Sequence, residues 1–181
     1  EEITFKEITN NTALGRDRNP LVYILEAADD IAYLLGDLED AFNKNIISYD
    51  ILYNKYKEFI EENSFEEKTI EESTGYFLKR NYDFAKDEYG YGDPGEYAIK
   101  SFVIRLKRYL RDSAVEEFVN SYDKIMNGEY SGELLGSSKA SKVAEFLRKM
   151  VSNYVHTHES VNSREIIGYK MIHSMLDEFV P

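Results

Sequence analysis

The sequence predicts an all-α, multi-helix bundle. Apolar residues recur at three- and four-residue spacing in segments all along the chain, the period of a helix with one buried face. Several of these segments open on a capping residue and close on Asn or Gly. No alternating strand pattern of convincing length interrupts them, and no internal repeat is present. The 181 residues make one domain's worth of chain, long enough for a real core, and the 43% apolar content is that of a globular protein.

Thr4-Phe5-Lys6-Glu7 fits a capping box, with Phe5 and Ile8 as apolar contacts, and predicts a short helix ending near Asn10 to Gly15. The organising segment comes next. Asn19 is placed as N-cap and Pro20 as first helical residue. Leu21, Ile24, Leu25, Ala28, Ile31, Ala32, Leu35, Leu38 and Phe42 give it an apolar face. Between Leu21 and Asn43 stand six carboxylates (Glu26, Asp29, Asp30, Asp37, Glu39, Asp40) and no Lys or Arg. Like charges three or four residues apart repel, so groups outside this helix are expected to offset them.

Asp29, Tyr33 and Asp37 recur every four residues and stack on one stripe. At ~1.5 Å rise per residue the two carboxylates are about 12 Å apart along the axis. One metal ion with ligand distances near ~2 Å does not bridge that span. An extended ligand suits it better, with a metal at one end, a hydroxyl at the other and a ring between. The small residues Ala28, Ala32 and Gly36 flank the stripe and allow close approach. The competing reading is a surface helix whose acids face water. Arg18, just before it, is open to two readings, a phosphate contact or an exposed loop cation.

Asn43-Lys44-Asn45 ends the segment, and Ser48 caps a second helix with Ile51, Leu52, Tyr56, Phe59 and Ile60 as its buried stripe. The short connection predicts an antiparallel neighbour. From Glu61 to Ser73 the chain is acidic and reads as a solvated linker or insertion. Tyr76, Phe77, Tyr82, Phe84, Tyr89 and Tyr91 lead into a loop at Gly90 to Gly95, which lacks the strand and Gly-Lys-Ser of a phosphate loop.

A long helix is predicted from about Glu96 to Asn127, stopped by Gly128, with Ile99, Phe102, Val103, Leu106, Tyr109, Leu110, Val115, Phe118, Val119, Tyr122 and Ile125 on its core side. Lys100, Arg105, Lys107, Arg108 and Arg111 form the one basic cluster, read either as a phosphate contact or as a solvated face. Ser137-Ser138 opens the next helix, with Val143, Phe146, Leu147, Met150, Val151, Tyr154 and Val155 buried. His156 and His158 face nearly opposite ways on a helix, so they read as surface residues at its end rather than a metal pair. The last helix, from Val161 to Ser163 through Val180, is expected to bury Ile167, Ile172, Met175, Leu176 and Phe179.

The formal charge of −12 argues against nucleic acid or anionic membrane as the main partner, because phosphate backbones need a basic surface. It leaves room for a nucleotide whose phosphates are met by metal ions and a few local cations. The absence of cysteine excludes a disulfide framework and a thiolate site. No stretch approaches the roughly 18 apolar residues of a membrane span, and no signal peptide is visible, so cytoplasm is the default expectation.

The run from Arg18 to Ala41 (R-N-P-L-V-Y-I-L-E-A-A-D-D-I-A-Y-L-L-G-D-L-E-D-A) resembles the hallmark helix of the dGTPase family of HD-domain deoxynucleoside triphosphate triphosphohydrolases. Glu165 to Ile172 (E-I-I-G-Y-K-M-I) resembles a weaker motif of that family. The resemblance implies an HD-domain-like bundle and a divalent metal ion, with Asp29 as the last protein ligand of the metal site. It implies that Tyr33 lines the sugar and phosphate pocket and that Asp37 accepts a hydrogen bond from the deoxyribose 3′-hydroxyl. Phe102 lies near the position of an aromatic residue set against the deoxyribose. The implied substrate is a deoxynucleoside triphosphate, attacked at the α-phosphorus to release deoxynucleoside and tripolyphosphate. The implied assembly is a homo-oligomer, commonly a hexamer in the family.

The family's other metal ligands, a His and then a His-Asp pair, belong upstream of the hallmark helix, where this chain has no His. The chain is therefore expected to be a portion of a larger enzyme and inactive alone. Residues 1–63 would end the catalytic core with the metal and substrate helix at 19–45, residues 64–95 would connect, and residues 96–181 would form a C-terminal helical region. Two alternatives stand beside this: a non-catalytic helical module for oligomerisation or nucleotide binding, and an HD phosphohydrolase of another nucleotide.

Overall fold

The computed structural model describes residues 2–12, 18–63, 70–87 and 92–180, and every regular element among them is a helix. These are α1 (Glu2–Thr12), α2 (Pro20–Asn43), α3 (Tyr49–Asn63), α4 (Ile70–Asp87), α5 (Pro94–Asn120), α6 (Tyr122–Met126), α7 (Leu134–Ser137), α8 (Ser141–Met150), a π-helical turn (Val151–His156) and α9 (Glu159–Phe179). The loop expected at Gly90 and Tyr91, Tyr89, the acidic residues Glu66 and Glu67, and the side chains of Ile8, Glu71, Glu72 and Tyr76 lie outside the described residues.

The punctuation read from the sequence is what bounds these helices. The Asn19 side-chain Oδ1 accepts a hydrogen bond from the Leu21 N–H at 2.9 Å, so α2 begins where the N-cap and Pro20 place it. Asn45 ends it with φ at 55°, and the Ile46 and Asn45 N–H groups donate back to the carbonyls of Ala41 and Phe42. This is the Schellman arrangement, in which the left-handed residue satisfies the last orphan carbonyls. Gly128, φ 73°, ends α6 in the same way, with Glu129 N–H donating to the Lys124 carbonyl.

The chain divides into two compact units, Glu1–Tyr33 with Lys107–Ala144, and Leu34–Leu106 with Glu145–Pro181. In the first, Tyr23, Ala27, Ala114, Ile125 and Leu134 form a core flanked by Phe118 and Tyr130. The Tyr23 hydroxyl donates to the Tyr130 carbonyl at 2.6 Å, and the two rings meet edge to face at 5.4 Å. The Ser138 hydroxyl donates to the Leu135 carbonyl and accepts from the Ala140 N–H, which satisfies a buried polar group between α7 and α8.

In the second unit Tyr56, 1% exposed, is the centre of an aromatic core. Its ring meets Phe102 edge-on at 5.1 Å and Phe146 at 5.4 Å, while Phe59 lies 4.8 Å from Phe146. Leu52, Leu78, Leu106 and Leu147 are fully buried in this unit. Tyr49 stacks on Tyr82 at a ring separation of 4.1 Å. Burial, with the nearby Tyr53, Asp83, Tyr82 and Asp50, pushes its hydroxyl well above the usual tyrosine range. A folded-state value raised above the unfolded one stabilises the fold below about pH 10 and stops doing so as the pH rises past it. Tyr49→Phe is therefore expected to lose less denaturant resistance than wild type between pH 9 and pH 11, measured by far-UV circular dichroism.

Four sequence expectations are corrected. The stretch read as a linker from Glu61 to Ser73 is helical at both described ends, closing α3 and opening α4. Leu78 and Ala85, seven residues apart and both 0% exposed, supply the apolar repeat that the acidic run obscured. The apolar face of α2 is rotated from the one expected. Tyr23, Ala27, Ile31, Leu34, Leu35, Leu38 and Ala41 are buried, whereas Leu21, Ile24, Leu25, Ala28 and Ala32 are exposed. The long helix breaks at Ser121, and its second half turns Val115, Val119 and Tyr122 outward. Finally, Ile167, Ile172, Met175, Leu176 and Phe179 of α9 are between 49% and 75% exposed rather than buried. Helical spacing shows that a helix has an apolar side, but not that a neighbour covers it.

Candidate functional site

Helix α2 runs unbroken through Asp29, Tyr33 and Asp37. The first two belong to one unit and Asp37 to the other. All three sit away from the buried face. Asp29 is exposed, the Tyr33 ring is 65% exposed, and Asp37 is half-buried with 41% of its side chain accessible. A Cβ added at Gly36, on the flank of the stripe, would meet nothing within 4 Å. The stripe is thus open along its length and not filled by apolar side chains of the fold.

The carboxylate repulsion on α2 is relieved from outside the run, as its charge pattern requires. Arg18 pairs with Glu26 while its guanidinium lies 4.6 Å over the Tyr23 ring. Lys44 pairs with Asp40 at 2.9 Å. His156 Nε2 stands 3.9 Å from Asp37 Oδ2. Lys100, held by Glu96 at 2.5 Å, carries its charge close to Glu39. Asp29 is different: among the described residues it makes no hydrogen bond or ion pair. An exposed carboxylate kept beside like charges, with no cation partner among the described residues, has the chemistry to take an external cation.

The described residues do not complete a metal site. No three His, Cys, Asp or Glu side chains among them converge as ligands. Asp29 supplies one carboxylate, and any set holding a metal there needs donors from outside the described residues. Phe102, the fourth candidate, is 1% exposed and fills the core against Tyr56, so its ring does not reach a surface. The basic cluster on α5 is dispersed among local partners: Lys100 on Glu96, Arg111 on Asp112 at 2.7 Å, and Arg105 with its guanidinium 3.9 Å over the Phe77 ring.

Two hollows border the first unit's half of α2. An apolar groove of about 230 Å³, lined by Ile24, Ile31, Ala114 and Phe118 among others, lies on the far side of the helix from Tyr33. A polar cavity of about 280 Å³ is lined by Arg18, Glu26, Asp30 and Glu133, on the same flank as the stripe. The sequence reading missed the approach of His156 to Asp37. They lie 119 positions apart in the sequence, so no spacing rule links the two; only the packing of the second unit brings them together.

No protein-family model matches the chain. Curated relatives do. It is 30% identical over 182 residues to the deoxyguanosinetriphosphate triphosphohydrolase-like protein of Listeria monocytogenes, covering 100% of this chain and 37% of that protein. It is 29% identical over 187 residues to the deoxyguanosinetriphosphate triphosphohydrolase of Yersinia enterocolitica, covering 100% of this chain and 35% of that one. Against the Serratia proteamaculans enzyme of the same name the identity is 28% over 170 residues, 91% of this chain and 32% of the relative. The chain therefore spans about a third of the length of the curated relatives it matches. Over its whole length, the chain is similar to proteins named deoxyguanosinetriphosphate triphosphohydrolase or deoxyguanosinetriphosphate triphosphohydrolase-like protein, matching the C-terminal part of these longer chains.

Proposed function

We propose that this chain contributes the substrate-facing helix of a deoxynucleoside triphosphate triphosphohydrolase. The observation that carries the reading is the open stripe on α2, with an exposed Asp29, bonded to none of the described residues, at one end and a half-buried Asp37 at the other. Asp29 would give one carboxylate to a divalent metal whose remaining ligands lie outside the described residues. That metal would polarise the phosphate and supply the attacking water. Tyr33 presents a ring beside the sugar and narrows the space at its 2′ position. Asp37 accepts a hydrogen bond from the 3′-hydroxyl, and Phe102 supports the helices from within the core. Hydrolysis at the α-phosphorus, release of tripolyphosphate, and assembly into a homo-oligomer belong to the same reading. Light scattering of the full natural protein measures the last.

The test is dGTP hydrolysis by the full natural protein with a divalent metal, following deoxyguanosine release. Asp37→Ala is expected to raise KM by roughly 10- to 150-fold, the loss of one hydrogen bond to a charged group of about 1.5–3 kcal/mol. Its effect on kcat should be small. An unchanged KM removes Asp37 from the sugar site.

A second reading, a helical module that binds or assembles without catalysing, draws on the lack of three converging metal-type ligands among the described residues. Full natural protein that binds dGTP without hydrolysing it would favour this reading.

A further inference from the structure

We propose that His156 belongs to the sugar end of this site, where its imidazole and the Asp37 carboxylate read one hydroxyl together. The inference rests on the function proposed above and adds a specificity determinant to it.

The geometry begins with α8. Val143, Leu147, Met150 and Val151 continue one buried stripe, and Val155 extends it through the π-helical turn Val151–His156. A π turn carries more residues per turn than an α-helix, so it rotates the residues after it relative to a regular continuation. Val155 is thereby kept in the core, and His156, the last residue of the turn, projects outward with its Nε2 toward Asp37. Such turns recur at functional sites.

The separation is informative. A direct charge-assisted hydrogen bond would hold N and O at about 2.7–2.9 Å. Here Nε2 and Oδ2 are 3.9 Å apart, and both side chains are accessible, 60% for His156 and 41% for Asp37. An oxygen about 2.8 Å from each would see the two partners at an angle of roughly 90°, within reach of hydrogen-bond geometry. A hydroxyl is the group that fits both: its O–H donates to the carboxylate and its lone pair accepts from the imidazole N–H. An ether or fluorine in its place accepts but cannot donate, and a hydrogen does neither. The pair therefore selects a free sugar hydroxyl at the Asp37 rung and rejects a ring that lacks it. As an exposed ion pair alone, the same two residues would contribute little to stability.

The experiment is imidazole and tyrosine-ring NMR on the full natural protein, with the His156 signal assigned through His156→Gln. The probes are deoxyguanosine and 2′,3′-dideoxyguanosine. Deoxyguanosine should shift both the Tyr33 ring and the His156 imidazole, whereas the dideoxynucleoside should shift Tyr33 alone. His156→Ala should cut the preference for deoxyguanosine over the dideoxynucleoside about tenfold. His156→Gln, which keeps an N–H donor, should restore part of it. If Tyr33 responds to both probes and His156 to neither, the hydroxyl-reading role falls while the substrate-helix reading stands. If neither residue responds to deoxyguanosine, both fall.

Discussion

Asp29→Ala is expected to lower dGTP hydrolysis by the full natural protein at least about a thousandfold, roughly 4 kcal/mol of transition-state stabilisation. The size reflects what the side chain would do. Losing one charged ligand from a small ligand set weakens the metal and displaces the water it activates. Stability should move the other way or not at all. Asp29 is exposed and makes no bond among the described residues, and its removal takes a negative charge from a run of six. A surface change of this kind stays within about 0.5 kcal/mol. Paired measurements of turnover and of the denaturation midpoint separate the two effects. Near-wild-type turnover by the folded variant would remove Asp29 from the chemistry. A collapse of both quantities would make its role structural, which its exposure argues against.

The legibility of each feature in the chain order depends on where its signal resides. Asn19 and Asn45 act through local backbone geometry, and the structure has the α2 boundaries they indicate. The buried positions of α8 and the π-helical turn hold because the pattern is dense, with Val143, Phe146, Leu147, Met150, Val151 and Val155 buried and only Tyr154 half-buried. The α2 face is ambiguous in sequence because Leu21, Ile24 and Leu25 suggest one orientation and Tyr23, Ala27 and Leu34 another. A tyrosine whose hydroxyl has a buried acceptor can belong to the core, and Tyr23 finds one in the Tyr130 carbonyl. Helix α4 is hidden because its charge dominates its composition, while Leu78 and Ala85 do the burying. The candidate stripe is legible in full, since i, i+4 and i+8 positions share a face in any helix. The neighbourhood of its Asp37 rung is not, because His156 reaches it through packing of the second unit alone.

Phe102 allows the sharpest separation of scaffold from site. Phe102→Ala is expected to destabilise the fold by about 3–5 kcal/mol, the range for deleting a buried aromatic ring. The reasons are its 1% exposure and the edge-on contact with Tyr56, itself 1% exposed and packed on Phe146. Removing the ring opens a cavity in the middle of an aromatic cluster whose members brace α3, α5 and α8, and the surroundings can relax only partly. Phe102→Leu refills most of that volume and should cost markedly less. Urea denaturation of the two variants gives the stability difference, and the denaturant slope shows whether unfolding stays cooperative. The leucine variant then answers the question of function. A core residue leaves KM for dGTP close to wild type once the protein is folded, because nothing that touches ligand has changed. A ring set against the deoxyribose would instead show a raised KM in Phe102→Leu with little loss of stability. That result would require the side chain to leave the position it fills beside Tyr56.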